Sequence, residues 1–168
     1  MFKDLILFDI GNIPFNVKYE KVNFSNLKNY KKKEIVIMEG NTINRDILEN
    51  KDVDILVNPS LGIKKDSLHY RNSGLNHILC NIAKRNNIQI GFSFNEVLNS
   101  NNRGLILGRM MQNVRLCRKF KVKMLIASFA RNEHELRSHD TLKAFGLVIG
   151  MTPGESERAL NESNNLKK

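Results

Sequence analysis

Apolar positions along this chain follow two different rhythms. Short, nearly continuous apolar runs occur at Leu5–Phe8 (LILF), Ile35–Glu39 (IVIME), Asp54–Val57 (DILV), Ile88–Phe94 (IQIGFSF) and Val122–Ser128 (VKMLIAS). Each is rich in Ile, Val, Leu or Phe and lies close to turn-forming residues, which predicts a buried strand. Strands apolar on both faces suit a parallel sheet covered on both sides. Between the runs, apolar residues recur at helical spacing. Over Ser73–Asn87 the stripe is Leu75, Ile78, Leu79, Ile82 and Ala83, with Ser73 as the expected cap. Over Arg103–Phe120 it is Ile106, Leu107, Met110, Met111, Val114 and Cys117, which puts Arg109, Arg115 and Lys119 on an opposite, exposed face. A third helix is expected from Asp140 to Ile149. A fourth follows Thr152-Pro153-Gly154-Glu155, where Thr152 caps, Pro153 takes the first helical position and Glu155 closes a capping box.

Strands alternating with helices predict an α/β fold with a parallel sheet. A closed eight-unit barrel usually takes roughly 200–250 residues, and this chain has 168. A barrel with minimal helices, a barrel lacking a unit and an open sheet all fit that length. The pattern predicts a single domain over residues 1–168, with the polar stretch 161–168 as a frayed tail. The basic run 29–33 reads as a solvated loop. No apolar run approaches the roughly 18 residues of a membrane span. The start, Met1-Phe2-Lys3-Asp4, has no charged segment leading into an apolar run and cleavage site, so no signal peptide is expected. Cytoplasmic residence is expected, with Cys80 and Cys117 as reduced structural cysteines outside any zinc spacing.

Charge changes the picture. Lys and Arg number 27 against 17 Asp and Glu, a formal net charge of +10. Such a balance points to a polyanionic partner, nucleic acid or an acidic membrane, and says little about fold. No acid occurs between Glu96 and Glu133, a stretch that holds Arg103, Arg109, Arg115, Arg118, Lys119, Lys121, Lys123 and Arg131. Solvated faces normally mix both signs, so this cluster is a candidate RNA-binding surface, with a merely solvated helix face as the alternative. Aromatic residues are few near it, which favours contact with a folded RNA backbone over base stacking. Arg131 and Arg137 follow a strand end, where ligands gather in parallel α/β folds. They read either as RNA or protein contacts, or as local caps and ion pairs with Glu133 or Glu135. Arg71, Asn76 and His77 flank a helix start, which could hold a phosphate or could simply cap the helix and anchor its loop.

Hydrolytic chemistry finds little support. The histidines are His69, His77, His134 and His139, and no two form a His-x-His pair. Asp9 and Glu39 are the acids near early strand ends. A two-metal site needs several converging ligands, and neither a nucleophilic triad nor a Walker-type phosphate loop is present.

From Val53 to Leu160 the chain resembles archaeal ribonuclease P protein component 3, the p30-type subunit family. The resemblance rests on several segments in order: Val53-Asp54-Ile55-Leu56-Val57-Asn58-Pro59; Arg71-Asn72-Ser73-Gly74-Leu75-Asn76-His77-Ile78-Leu79; the Ile88–Phe94 strand with the arginine-bearing helix after it; Leu125-Ile126-Ala127-Ser128-Phe129-Ala130, running on to Glu135-Leu136-Arg137-Ser138; and Gly150-Met151. Upstream, Glu39-Gly40-Asn41 resembles a Glu-Gly-Gly of the family. Asn72 stands in place of a usual Asp, Phe129 in place of a small residue and His139 in place of a common Pro. Residues 60–70 look like an insertion, and the region before Ile35 is short by about one strand–helix unit.

The resemblance implies a barrel like that of the polymerase-and-histidinol-phosphatase superfamily, here shortened by about one unit. It also implies a protein subunit of the endonuclease that removes the 5′ leader of precursor tRNA. In that family the RNA component carries the catalytic site and its Mg²⁺, so this subunit is expected to hold no cofactor, metal or catalytic residue. Its expected partners are the ribonuclease P RNA, component 2 and the other holoenzyme proteins, with precursor tRNA touched indirectly and no membrane. Arg71, Arg103, Arg109, Arg115, Arg118, Lys119, Arg131 and Arg137 are the expected RNA-binding residues. The rival readings are a stand-alone metal-dependent phosphoesterase of the same barrel superfamily and a general basic RNA-binding or scaffold protein outside ribonuclease P.

Overall fold

The computed structural model describes residues 4–6, 16–18, 20–21, 35–63 and 65–165. The elements in chain order are β1 (Asp4–Ile6), β2 (Asn16–Lys18), β3 (Glu20–Lys21), β4 (Val36–Glu39), α1 (Asn44–Glu49), β5 (Ile55–Val57), α2 (His77–Arg85), β6 (Gln89–Ser93), α3 (Phe94–Asn99), α4 (Arg103–Phe120), β7 (Met124–Ala127), a 3-10 turn at Glu133–Glu135, α5 (His139–Val148) and α6 (Pro153–Asn165). Among the described residues every strand pairing is parallel. β3, β4, β5, β6 and β7 lie side by side in that order in one five-stranded sheet, while β1 and β2 form a two-stranded pair.

The two sheets are nearly continuous. A single residue separates β2 from β3, so one stretch of chain pairs with β1 along its first part and with β4 along its second. At the far side, the buried Asp4 carboxylate accepts a hydrogen bond from the Ser128 amide at 2.8 Å, tying the start of β1 to the end of β7. The seven strands among the described residues thus trace a barrel-like circuit, and the Asp4 side chain bridges the end of β7 to β1. The expected α/β, TIM-barrel-like architecture is present.

Both faces of the main sheet are buried, as its near-continuous apolar runs require. On one face Val36, Met38, Leu56, Ile90, Phe92 and Ile126 pack under the helices. On the other, Ile35, Ile37, Ile55, Val57, Leu125, Ala127 and Phe129 pack together. A Cβ on Gly91 would come within 2.8 Å of the Val57 side chain, so that position has no room for a larger residue. Cys80 and Cys117 are free, buried and adjacent in this core. The neighbouring Cys80 sulfur and burial together push the Cys117 thiol well above the ordinary range.

Local chemistry sets the helix ends, and two expected boundaries move. Ser73 does not cap α2. The cap is Asn76, whose Oδ1 accepts from the Leu79 amide at 2.9 Å. Ser73 is buried instead, and its hydroxyl accepts from Gln112 Nε2 on α4 at 3.1 Å. Asp140 lies inside the first turn of α5, which Ser138 caps through Thr141. The capping box of α6 forms as expected: the Glu155 amide donates to Thr152 Oγ1 at 3.3 Å and the Thr152 amide to Glu155 Oε2 at 2.8 Å. The expected frayed tail at 161–168 is corrected in part, because α6 continues to Asn165. Buried Leu160 and the Gln89–Glu162 hydrogen bond of 2.9 Å hold its later turns against the sheet. The basic run 29–33 and Asp9 lie outside the described residues.

Candidate nucleic-acid interface

Segments far apart in the sequence converge just past the C-terminal ends of β4 and β5. Asn44, at the start of α1, donates through Nδ2 to the Pro59 carbonyl at 2.7 Å and to the Gly74 carbonyl at 3.0 Å. Gly74 has a φ of +80°, and a Cβ there would land on the Pro59 carbonyl. Only glycine combines that backbone angle with so close an approach. The knot fixes residues 70–77 beside α4.

The same loop is stitched along α4. Gln112 Nε2 donates to the Arg71 carbonyl at 3.0 Å, and Asn113 Nδ2 donates to the Ser73 carbonyl at 2.9 Å. Arg71 Nη1 donates to the Gly108 carbonyl at 3.1 Å. A Cβ on Gly108 would sit 3.0 Å from the Arg71 guanidinium carbon, so the absent side chain is what lets the guanidinium lie flat on the helix. Between the loop and the C-terminal half of α4 runs an open groove of about 880 Å³. Tyr70, Arg71, His77, Gln112, Lys119 and Phe120 are among its walls, and among the described residues no acid lines it.

The expected basic face of α4 divides. Arg115 and Lys119 are exposed, as the periodicity predicts. Arg109 is not, and this corrects its expected exposure. Its side chain is 1% exposed, with Nε donating to Asp66 Oδ1 at 2.9 Å and Nη1 to the Ile63 carbonyl at 2.7 Å. Burial works against the Asp66 charge, but the Asn72 amide and the Arg109 guanidinium outweigh it and hold that carboxyl below the usual range. The cause is the 60–73 segment, which covers a flank of α4 that helical periodicity leaves polar. Asp66 and its loop were the partners that sequence reasoning missed. An isolated acid in an irregular segment carries no periodic signal.

The remaining cations sort by partner. Arg118 is exposed but engaged: it grips Glu155 through Nε at 2.7 Å and Nη2 at 2.6 Å, and donates to the Gly150 carbonyl. The guanidinium and the capping hydrogen bonds from Thr152 outweigh burial and hold the Glu155 carboxyl down to about 2. Arg103 donates to the Leu98 carbonyl at 3.0 Å, bracing the turn before α4. Arg137 lies 5.2 Å over the Phe94 ring and donates to the His134 and Leu136 carbonyls, so its local role is the one on view. Arg131 has an exposed side chain, while its backbone amide donates to Glu135 at 2.7 Å. Arg71, Arg103, Arg115, Arg118, Lys119 and Arg131 are all exposed; of these Arg71, Arg103 and Arg118 also hold partners within the fold, and Arg71 and Lys119 share the groove.

Aromatic side chains also enter the picture. The preference for backbone contact over base stacking rested on their scarcity near the arginines. Yet Tyr70, 65% exposed, comes from the covering loop to the groove that Lys119 and Phe120 line from α4. Among the described residues no group of three or more His, Cys, Asp and Glu could hold a metal ion. No helix among them is long and apolar enough to cross a membrane.

Residues 16–166 match the family model described as RNase P subunit p30. The ribonuclease P protein component 3 of Thermococcus kodakarensis is 36% identical over 121 residues, 71% of this chain and 51% of that protein. That of Methanocaldococcus jannaschii is 34% identical over 115 residues, 66% of this chain and 47% of that protein. The chain therefore spans about half the length of the curated relatives it matches. Among solved structures, a chain in a cryo-EM structure of archaeal ribonuclease P with mature tRNA is similar at a TM-score of 0.73 and 27% identity, covering 84% of this chain and 60% of that one.

Proposed function

The chain belongs to the RNase P subunit p30 family, and from that premise we propose that it is a protein subunit of a ribonuclease P ribonucleoprotein. The family match across 16–166 carries this reading. The net charge of +10 supports it, because a subunit packed against RNA must offset backbone phosphates. In this role the subunit screens repulsion and steadies the RNA fold. The RNA and its Mg²⁺ perform the hydrolysis of one phosphodiester that frees the 5′ leader of precursor tRNA. Its partners are the ribonuclease P RNA, component 2 and the remaining holoenzyme proteins, in the cytoplasm.

The exposed cations Arg71, Arg115, Lys119 and Arg131 supply the RNA-facing charge. Arg109, Arg103, Arg118 and Arg137 act within the fold, each through the partners named above.

The test is purification of the tagged protein from its native cells, with mass spectrometry and RNA sequencing of what accompanies it. Ribonuclease P RNA and component 2 are the expected companions. The protein freed of RNA is expected to cleave no precursor tRNA. Correctly placed, Mg²⁺-dependent 5′ cleavage by the RNA-free protein would overturn the reading.

A further inference from the structure

We propose that the groove between residues 70–77 and the C-terminal half of α4 is a subsite for one unpaired nucleotide of RNA, its base stacked on Tyr70 and its phosphate held by Lys119 and Arg71. The proposal rests on the reading of the chain as an RNA-binding subunit and adds where, and in what form, RNA is held.

Three observations converge. The first is the aromatic ring. Tyr70 is a large side chain left 65% exposed at the wall of a groove. A flat, open ring beside cations suits an unstacked base, whereas paired bases in an RNA duplex keep their faces covered.

The second is charge. Lys119 and Arg71 are exposed, and among the described residues no acid lines the groove. α2 begins at its edge with no acid in its first turn, so the helix end adds to the positive potential and not against it. A basic peptide is thereby disfavoured, and an anionic chain favoured.

The third is preorganisation. Gln112 holds the Arg71 and Ser73 ends of the loop, Arg71 is seated on Gly108, and Asn44 pins Gly74. The walls stand in place before any ligand arrives, which lowers the ordering cost of binding.

The geometry requires no rearrangement of the core.

The test uses the full-length protein with two labelled probes, a short unpaired oligoadenylate and an RNA duplex of the same length. Tyr70→Ala is expected to weaken oligoadenylate binding about tenfold and to leave duplex binding and thermal melting unchanged. Tyr70→Phe keeps the ring and is expected to bind like the parent. Lys119→Ala is expected to make the log–log salt dependence of oligoadenylate binding shallower by ~0.7. Equal binding of oligoadenylate by the parent and Tyr70→Ala, or an equal loss on both probes, would overturn the proposal. Loss of a copurifying protein in Tyr70→Ala, with oligoadenylate binding intact, would overturn it in favour of a protein contact. The outcomes are separable from the family-based reading. If ribonuclease P RNA copurifies but Tyr70→Ala binds normally, the subsite fails alone. If Tyr70→Ala loses oligoadenylate but no ribonuclease P RNA copurifies, the subsite stands and the holoenzyme role fails.

Discussion

Two flanks of α4 carry the same residue types toward opposite ends. On one flank Arg109 is buried under the 60–73 segment and committed to Asp66 and the Ile63 carbonyl. On the other, Arg115 and Lys119 stand in solvent. The difference is not in the helix, whose sequence offers both sets of cations at comparable spacing from the apolar stripe. It lies in what a distant, irregular segment chooses to cover. A cation on a helix therefore reads as structure or as binding surface only once the company brought by the rest of the chain is known.

Breaking the covered flank is expected to have the largest effect. Arg109→Met leaves the partly exposed Asp66 and the Ile63 carbonyl without their donor, and breaking this half-buried pair costs about 3 kcal/mol. Urea unfolding would read it, with the loss little changed by salt. An unaltered midpoint would mean the 60–73 cover is not held by this pair.

Asn113→Ala tests the same flank one turn on, by orphaning the buried Ser73 carbonyl. The expected loss is about 1–3 kcal/mol, again by urea unfolding, together with faster amide exchange along residues 70–76.

Arg118 is the intermediate case, exposed yet paired. Glu155→Gln keeps the capping box and removes the charge, so a loss no greater than about 1 kcal/mol is expected. The pH dependence follows from the depressed carboxyl. Its stabilisation is present above the ordinary Glu value of 4.5 and is lost as pH falls toward about 2. Over that window the stability of the parent should fall more steeply than that of Glu155→Gln, as acid titration followed by circular dichroism would show.

The open flank should barely touch stability. The double change Arg115→Ala with Lys119→Ala is expected to alter unfolding free energy by no more than ~0.5 kcal/mol per site. In the reconstituted ribonucleoprotein each phosphate contact removed should make the salt dependence shallower by about 0.7–0.9. A parental slope would show this flank to be merely solvated.

How much of this was legible in the sequence follows from the range of each interaction. β4, β5, β6 and β7 were visible as runs with two buried faces, and α4 and the α6 capping box as local patterns whose causes lie within a few residues. α1 and α3, six residues each, are too short for a helical stripe to emerge. β2 and β3 carry no apolar run at all. The α2 boundary was misplaced because Ser73 and Asn76 are both capable caps, and only the pull of Gln112 on Ser73 decides between them. The burial of Arg109 and the arrival of Tyr70 beside Lys119 depend on the same loop crossing over α4, a tertiary fact with no local signature.

The Asp4–Ser128 hydrogen bond has a consequence in time. Its partners are 124 positions apart, so the joint cannot exist until nearly the whole barrel has been synthesised. The β5–α2–β6 and β6–α4–β7 units have their contacts close in sequence and can organise earlier. Contacts of long sequence separation bear the larger loop-closure cost and slow folding. Until Asp4 docks, the β7 end is without this tie, in a sheet whose unpaired edges are prone to self-association. Asp4→Ala should therefore slow the last refolding phase and raise aggregation during refolding, leaving the earlier phases at their parental rates.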